Sequence, residues 1–229
     1  MTKSEINKED LLRKVQSVID RFTKEGKTAA QFDGSERNIF PVAVSVEEGE
    51  ALREWVAKEK AVNTIEIGLA YGLSTLFLCQ GIIENDFKNA HHTVLDPYQT
   101  SGFKDSGLQS LKEAEVIHLI EFIAEESQIA LPRFVSEGRK FDLAFVDGSH
   151  LFDNVFLDLI YLGRLVQPGG VIFADDYQAP AVARAISFCL NNLGWELEEK
   201  AREAEHHQWA VLRTPRESIS RSYPHFVDF

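Results

Sequence analysis

Cysteines and long apolar runs are both scarce in this chain. Only two cysteines, Cys79 and Cys189, occur among the 229 residues, and both lie in apolar stretches that predict buried helices. Two isolated thiols provide no disulfide framework and are typical of a reducing compartment. No run approaches the roughly 20 apolar residues of a membrane span, and residues 1–20 are too charged for a secretory signal. We therefore expect a cytoplasmic protein without a membrane partner.

Basic residues are also few. The chain has 24 lysines and arginines against 36 aspartates and glutamates, which gives a formal net charge of −12. A field of that sign repels the phosphate backbone of nucleic acids unless a local basic patch opposes it, and the sequence shows no such patch. The composition is otherwise that of an ordinary globular protein. We expect a small-molecule substrate and no nucleic-acid partner.

The G-x-G-x-x-G fingerprint of dinucleotide-binding proteins is absent as well. Its place is taken by residues 64–75, TIEIGLAYGLST, which predict a buried strand, a glycine turn and a helix start. Gly68 and Gly72 allow a tight turn and the close approach of a ligand to the backbone. Glu66 precedes the first glycine by two residues, and Ser74 lies at the start of the apolar helix. This spacing makes an NAD(P)-dependent oxidoreductase the least favoured reading.

Strand and helix patterns alternate along the chain. Helices are predicted at 8–23, 45–60, 74–83, 111–115, 127–134, 152–166 and 180–193, and strands at 62–67, 92–95, 119–123, 141–146, 171–174, 195–200 and 208–213. This order predicts an α/β fold with a doubly wound, Rossmann-like sheet of about seven strands, mostly parallel with a late antiparallel hairpin. Residues 1–45 are predicted to form an N-terminal helix and a lid-like segment packed on the main domain, residues 46–229, within a single domain overall.

Acidic side chains lie at the ends of several predicted strands: Glu66, Asp96, Asp147, Asp175 and Asp176. Ligands of open α/β sheets bind outside the carboxyl ends of the strands, so this edge is the predicted binding site. Asp96 is placed to accept hydrogen bonds from both hydroxyls of a ribose, because a carboxylate has two acceptor oxygens. Asp96 therefore predicts a nucleoside without deciding which one.

Two later motifs carry a family resemblance. Residues 141–150, FDLAFVDGSH, and 165–176, LVQPGGVIFADD, together with the E-x-G-x-x-x-G turn, resemble motifs of class I S-adenosylmethionine (SAM)-dependent methyltransferases. The pairing of D-G-x-H with P-G-G and D-D is similar to the small-molecule O-methyltransferases, in particular the methyltransferase 24 and catechol-type branches. The resemblance spans about residues 45–195. It implies an enzyme that moves a methyl group from SAM to a hydroxyl of a small molecule.

The resemblance also implies roles for single residues around the cofactor. The methionine part would be flanked by Glu66, Gly68 and Gly72, with Ser74 near its carboxylate, Asp96 at the ribose, Glu126 and Ser127 by the adenine, and Asp147 beneath the sulfonium.

A divalent cation, Mg²⁺ or a similar ion, is implied in the same way. Its ligands would be Asp147, Asp175 and Asp176, although Asp176 stands where the catechol-type enzymes have asparagine. Three oxygen ligands suit Mg²⁺, whereas three carboxylates without a cation would repel one another. His150 is the predicted catalytic base, with Asp147 beside it, because imidazole titrates near neutral pH.

Several alternatives stay open at this stage. A SAM-fold protein with other chemistry, or with regulatory SAM binding, would keep the cofactor site without methyl transfer. The apolar N-terminal helix and the aromatic tail (Tyr223, Phe226 and Phe229) could each pack on their own chain or on a partner chain. A homodimer is therefore one of the open alternatives. Four further histidines, His91, His92, His206 and His207, lie in predicted loops or at strand starts and are predicted to be solvated and outside the site.

Overall fold

The computed structural model describes residues 7–201, 208–217 and 220–229. Within these ranges the helices are Lys8–Glu25 (α1), Val46–Glu59 (α2), Leu73–Asp86 (α3), Ser106–Glu113 (α4), Ser127–Ser136 (α5), Phe152–Leu165 (α6) and Pro180–Leu193 (α7). The strands are Lys27–Ala29 (β1), Glu36–Asn38 (β2), Asn63–Ile67 (β3), His91–Leu95 (β4), Ile120–Ile123 (β5), Phe141–Val146 (β6), Val166–Ala174 (β7), Glu196–Lys200 (β8) and Ala210–Arg213 (β9).

Seven of these strands form one sheet in the order β5-β4-β3-β6-β7-β9-β8. β3, β4 and β5 pair in parallel, and so do β6 and β7. β9 runs antiparallel to β7, and β8 antiparallel to β9. The predicted fold class is therefore confirmed, including the late antiparallel hairpin. None of the helices in the described ranges is both long and apolar enough to cross a membrane.

The chain divides into two compact units, Met1–Ala124 and Glu125–Phe229. In the first unit, α1 begins at the N-cap Asn7 and buries one apolar face, which packs against α3. α2 begins at Ser45, whose hydroxyl accepts a hydrogen bond from the Glu48 amide as the capping pattern predicts. α2 and α3 pack closely because Gly49 leaves room for the ring of Phe77. α1 therefore covers its apolar face within its own chain.

In the second unit, α5, α6 and α7 pack in succession and cover a core in which β6 and β7 are central. The aromatic tail lies on α7, where the rings of Phe188 and Phe229 approach to 5.1 Å between centroids. Asn192 fixes the same segment, since its side chain exchanges hydrogen bonds with the backbone of Val227. The tail therefore packs on its own chain. The homodimer and the lid-like role of the N-terminal segment stay predictions.

Two local predictions need correction. The sequence predicts no strand between α1 and α2, yet β1 and β2 pair there as a short antiparallel hairpin, with Thr28 opposite Arg37. The strand predicted at 171–174 begins earlier, at Val166, so that Pro168-Gly169-Gly170 lies inside β7. Gly169 adopts φ of 75°, and the pairing of β6 with β7 shifts register across this segment. Glycine tolerates such a bulge because it has no Cβ.

Candidate functional site

The first candidate site surrounds the glycine turn between β3 and α3. Gly68 and Gly72 adopt φ of 98° and 88°, in the left-handed region that favours glycine. Asp96, at the end of β4, fixes this turn, because its Oδ2 accepts hydrogen bonds from the amides of Leu69 at 3.2 Å and Ala70 at 3.0 Å. The Asp96 side chain is almost fully buried. A buried carboxylate thus lies directly against a turn whose backbone a ligand can approach.

A second carboxylate is buried beneath this turn. Glu66 in β3 accepts hydrogen bonds from the hydroxyls of Ser74 and Thr75 at the start of α3. Its Oε2 also lies 2.9 Å from Nε2 of His92, whose Nδ1 lies 2.8 Å from the hydroxyl of Thr64. Glu66 and Ser74 therefore bind each other and join β3, α3 and β4. Their predicted contacts with the methionine part of SAM stay predictions.

The prediction that His92 is solvated was wrong, because His92 is completely buried. Its strand, β4, pairs with β3 on one edge and β5 on the other, and Thr64 is its register partner in β3. The surrounding hydroxyl and carboxylate groups satisfy both ring nitrogens, as burial of a polar side chain requires. His91 is only partly exposed, and His206 and His207 lie outside the described residues.

The second candidate site lies in the second unit, at the carboxyl ends of β6 and β7. Asp147 follows β6, His150 lies in the turn after it, and Asp176 follows β7. One potential metal-ligand atom from each of these residues lies within 4.8 Å of the other two. Nε2 of His150 is 2.8 Å from Oδ2 of Asp176 and 3.8 Å from Oδ1 of Asp147. A small pocket, whose lining includes Val146 and Ala174, lies beside this cluster.

The charges in this cluster depend strongly on one another. Burial, and then the neighbouring carboxylates of Asp175 and Asp176, raise the pKa of Asp147 to about 8. The carboxylates of Asp147 and Asp176 raise the pKa of His150 to about 10, so the imidazole holds a proton beside them at neutral pH. Neutralising these carboxylates would lower the pKa of His150 again.

Asp175 is placed differently from its neighbour. Its side chain is buried, and its Oδ1 accepts a hydrogen bond from the amide of Asp176 at 2.6 Å. Asp176 adopts φ of 54°, an uncommon conformation for a non-glycine residue and one often found at functional sites. The carboxylates of Asp147 and Asp176 are oxygen donors that fit a divalent cation such as Mg²⁺, and the imidazole of His150 lies beside them. Of the predicted ligands, Asp147 and Asp176 thus lie together with His150, and Asp175 supports the backbone of Asp176.

Glu126 and Ser127 lie at the start of α5, where Glu126 is exposed and Ser127 is buried. Their predicted contact with adenine stays a prediction. Asp158 of α6, for which the sequence predicted no role, is buried, and burial raises its pKa to about 6. The sequence does contain a sign that Asp158 is buried, because it falls on the same predicted helix face as the apolar residues Val155 and Leu159.

Comparison with known proteins agrees with this arrangement. Residues 65–177 match the methyltransferase 24 family, described as a methyltransferase domain. A caffeoyl-CoA O-methyltransferase-like protein of Arabidopsis thaliana is 32% identical over 139 residues, which cover 61% of this chain and 56% of the relative. Tapetum-specific methyltransferase 1 from the same plant is 31% identical over 140 residues, which cover 61% of this chain and 57% of the relative. The chain thus spans little more than half the length of these relatives.

Solved structures share the fold over almost the whole chain. One is an O-methyltransferase from Bacillus cereus in complex with SAH, at 18% identity and a TM-score of 0.64, covering 92% of this chain and 93% of that one. Another is the O-methyltransferase TomG from Streptomyces achromogenes, involved in tomaymycin synthesis and solved in complex with SAM. It has 18% identity and a TM-score of 0.65, with 88% and 89% of the two chains covered.

The fold and the family match point the same way. This chain shares its α/β fold with these two methyltransferase structures. Residues 65–177, which contain Glu66, Asp96, Asp147 and Asp176, match the model of the methyltransferase 24 family.

Proposed function

We propose that this protein is a SAM-dependent O-methyltransferase that acts on a hydroxyl of a small molecule. The observation that carries the proposal is the cluster of Asp147, His150 and Asp176 inside the segment that matches the methyltransferase family. The neighbours from Bacillus cereus and Streptomyces achromogenes, which hold SAH and SAM, support the choice of cofactor. The named relatives and the sequence motifs support transfer to oxygen.

The cofactor half of the proposal rests on the first unit. Asp96 would accept hydrogen bonds from the ribose hydroxyls, and Gly68 and Gly72 would let the methionine part approach the backbone. Glu66, with Ser74 and Thr75, would hold the start of α3 in place. In the second unit, Glu126 and Ser127 would lie by the adenine. These assignments follow the motif positions.

The reaction transfers the methyl group from the sulfonium to the acceptor oxygen. One carbon–sulfur bond breaks, one carbon–oxygen bond forms, SAM becomes SAH, and the hydroxyl proton is released. A neutral hydroxyl is a poor nucleophile, so its proton must leave before or during transfer. The proton on His150 argues that the imidazole does not remove it unaided.

We therefore propose that Asp147 and Asp176, with His150 beside them, hold a divalent cation such as Mg²⁺. When bound, such an ion lowers the pKa of a nearby hydroxyl. Asp175 would keep the Asp176 backbone in its left-handed conformation. With the two carboxylates neutralised, the imidazole would lose the interactions that raise its pKa and could take up the released proton.

We also propose a cytoplasmic location and a small-molecule partner. Cys79 and Cys189 are both free and buried, and burial raises the pKa of the Cys189 thiol to about 12, so both thiols are inert. The formal charge of −12 disfavours nucleic acid as the methyl acceptor.

The test is methyl transfer from SAM to a panel of catechols and other small hydroxylated compounds, with the cation removed and then restored. We expect product only with a divalent cation present. Asp147→Asn should lower the rate by a factor of about 100 or more, the range for losing acid–base or metal assistance. His150→Gln should also lower the rate, and its matched control is His118→Gln, a substitution of an exposed histidine outside both sites. Tight SAM binding with no methylated product across the panel would contradict the proposal.

A further inference from the structure

Gln99 lies in the loop after β4, and its side chain is buried against the glycine turn. It is only 1% exposed. Its Nε2 donates to Oδ2 of Asp96 at 2.8 Å and to the backbone oxygen of Ala70 at 2.7 Å. The reverse orientation of the amide would bring its oxygen against these two acceptors, so the hydrogen-bond network fixes the assignment. Both amide protons of Gln99 are thus used at the predicted ribose site.

The two carboxylate oxygens of Asp96 accept different numbers of hydrogen bonds. Oδ2 accepts three hydrogen bonds, from the amides of Leu69 and Ala70 and from Gln99. Oδ1 accepts one, from the amide of Tyr98 at 2.7 Å. A carboxylate oxygen has two lone pairs, so Oδ2 is more than satisfied, whereas Oδ1 has room for one further donor. Asp96 can therefore bind one ribose hydroxyl as it stands, but a second hydroxyl requires Oδ2 to release a donor.

Only one of the three donors on Oδ2 can leave without rebuilding the chain. The amides of Leu69 and Ala70 belong to the turn between Gly68 and Gly72 and are fixed by its backbone conformation. Gln99 donates from a side chain, which can rotate away. Gln99 is therefore the exchangeable donor.

Burial of the Gln99 side chain is also energetically unfavourable at one atom. Its Oε1 has no hydrogen-bond partner among the described residues. The oxygen packs against Gly107 at the start of α4, where an added Cβ would lie 3.0 Å from it. An unsatisfied buried acceptor disfavours the state that buries it, so the side chain gains a solvent partner for Oε1 when it leaves.

We propose that Gln99 occupies, in the ligand-free protein, the position on Asp96 that a ribose hydroxyl takes in the complex. Gln99 is then an affinity-determining residue of the nucleoside site, because the ligand must displace its amide to engage both oxygens of Asp96. The observed affinity for the ligand equals its intrinsic affinity multiplied by the fraction of molecules in which Gln99 has left Asp96. This inference rests on the proposed function, since it takes Asp96 as the ribose carboxylate.

The test is calorimetric titration of SAH into the wild-type protein, Gln99→Ala and Asp96→Ala. Gln99→Ala should bind SAH about threefold to tenfold more tightly than the wild type, because no donor has to be displaced. Gln109→Ala is the control and should bind as the wild type does, because the side-chain amide of Gln109 donates to Glu113 within α4 and, among the described residues, makes no hydrogen bond to Asp96.

Nucleoside analogues locate the effect on the ribose. With adenosine, 2′-deoxyadenosine and 3′-deoxyadenosine as probes, the gain from Gln99→Ala should persist for adenosine. It should vanish for the analogue that lacks the hydroxyl facing Oδ2. This cycle isolates the coupling between one side chain and one hydroxyl.

Nuclear magnetic resonance of the ¹⁵N-labelled wild-type protein supplies a measurement that needs no variant. The side-chain amide signals of Gln99 should shift and lose protection from exchange when SAH is added. Equal or weaker SAH binding by Gln99→Ala, or Gln99 signals that do not change on saturation with SAH, would overturn the inference while leaving the cofactor site intact. Failure of the wild type and both variants to bind SAH would overturn both this inference and the proposed function.

Discussion

Asp158 shows how one buried carboxyl affects the stability of the protein. The side chain is 1% exposed on α6, and burial raises its pKa from 3.8 to about 6. Its folded-state pKa lies above the unfolded value, so its favourable contribution is fully present below pH 4. That contribution is lost as the pH rises through about 6, because the buried group must then ionise.

Asp158→Asn keeps the shape of the side chain and removes this ionisation. We expect its free energy of unfolding to rise relative to the wild type between pH 4 and pH 6 and to stay higher above pH 7. A shift of about two pKa units corresponds to roughly 2–3 kcal/mol. Urea denaturation across that range measures the difference, with Asp153→Asn, exposed on the same helix, as the control. Parallel pH profiles for Asp158→Asn and the wild type would contradict the prediction.

His92 is the clearest case in which the sequence did not reveal the role of a residue. Two adjacent histidines at a strand start suggested a solvated edge, whereas the register of β3 with β4 brings His92 onto Glu66. That register depends on long-range pairing, which local periodicity does not encode. The positions of Asp147 and Asp96 were easier to anticipate, since both residues directly follow the carboxyl ends of strands.

Replacement of His92 by Phe fills its volume and removes its hydrogen bonds. Glu66 would keep only the hydroxyls of Ser74 and Thr75 as neighbours. Removing the hydrogen-bond partner of a buried polar group costs about 1–3 kcal/mol, and each kcal/mol lowers the melting temperature of a protein of this size by about 2–4 °C. Differential scanning calorimetry of His92→Phe against the exposed His118→Phe measures the loss. A change below about 1 kcal/mol would be inconsistent with the network described for Glu66.

At the scale of elements, helix starts and buried strands followed closely from the sequence. Ser45 caps α2 as predicted, and β6 has the predicted bounds. The hairpin of β1 and β2 was missed because its strands have three residues each and no apolar alternation. The first part of β7 was not predicted as strand, because glycine and proline mark turns and bulges alike. Its backbone is held instead by tertiary contacts, such as the Thr214 amide on the Gly170 oxygen.

The packing of α2 on α3 gives a prediction at the same scale. A Cβ on Gly49 would lie 2.2 Å from the ring of Phe77, so Gly49→Ala should destabilise the protein by about 1–3 kcal/mol through overpacking. This sign is opposite to the gain of about 1 kcal/mol expected from helix propensity alone. Urea denaturation of Gly49→Ala, Phe77→Leu and the double variant should show that Phe77→Leu relieves part of the loss. A stabilising Gly49→Ala would refute the close approach of the two helices.

At the scale of the whole molecule, the alternation of strands and helices was sufficient to predict the sheet. The β7-β9-β8 end also agreed with prediction. The grouping of His150 with Asp147 and Asp176 could not be derived in the same way. It depends on the turn after β6 and on the left-handed backbone of Asp176, and loop conformations of this kind are set by tertiary contacts.

The central claim is that this chain binds SAM through Asp96. The most direct measurement is a calorimetric titration of SAM into the metal-stripped protein and into Asp96→Ala, each repeated with Mg²⁺. We expect the wild type to bind SAM and Asp96→Ala to bind it at least about ten times more weakly, the loss expected from one or two charge-assisted hydrogen bonds. Absence of SAM binding by the folded wild-type protein under every condition would contradict the account.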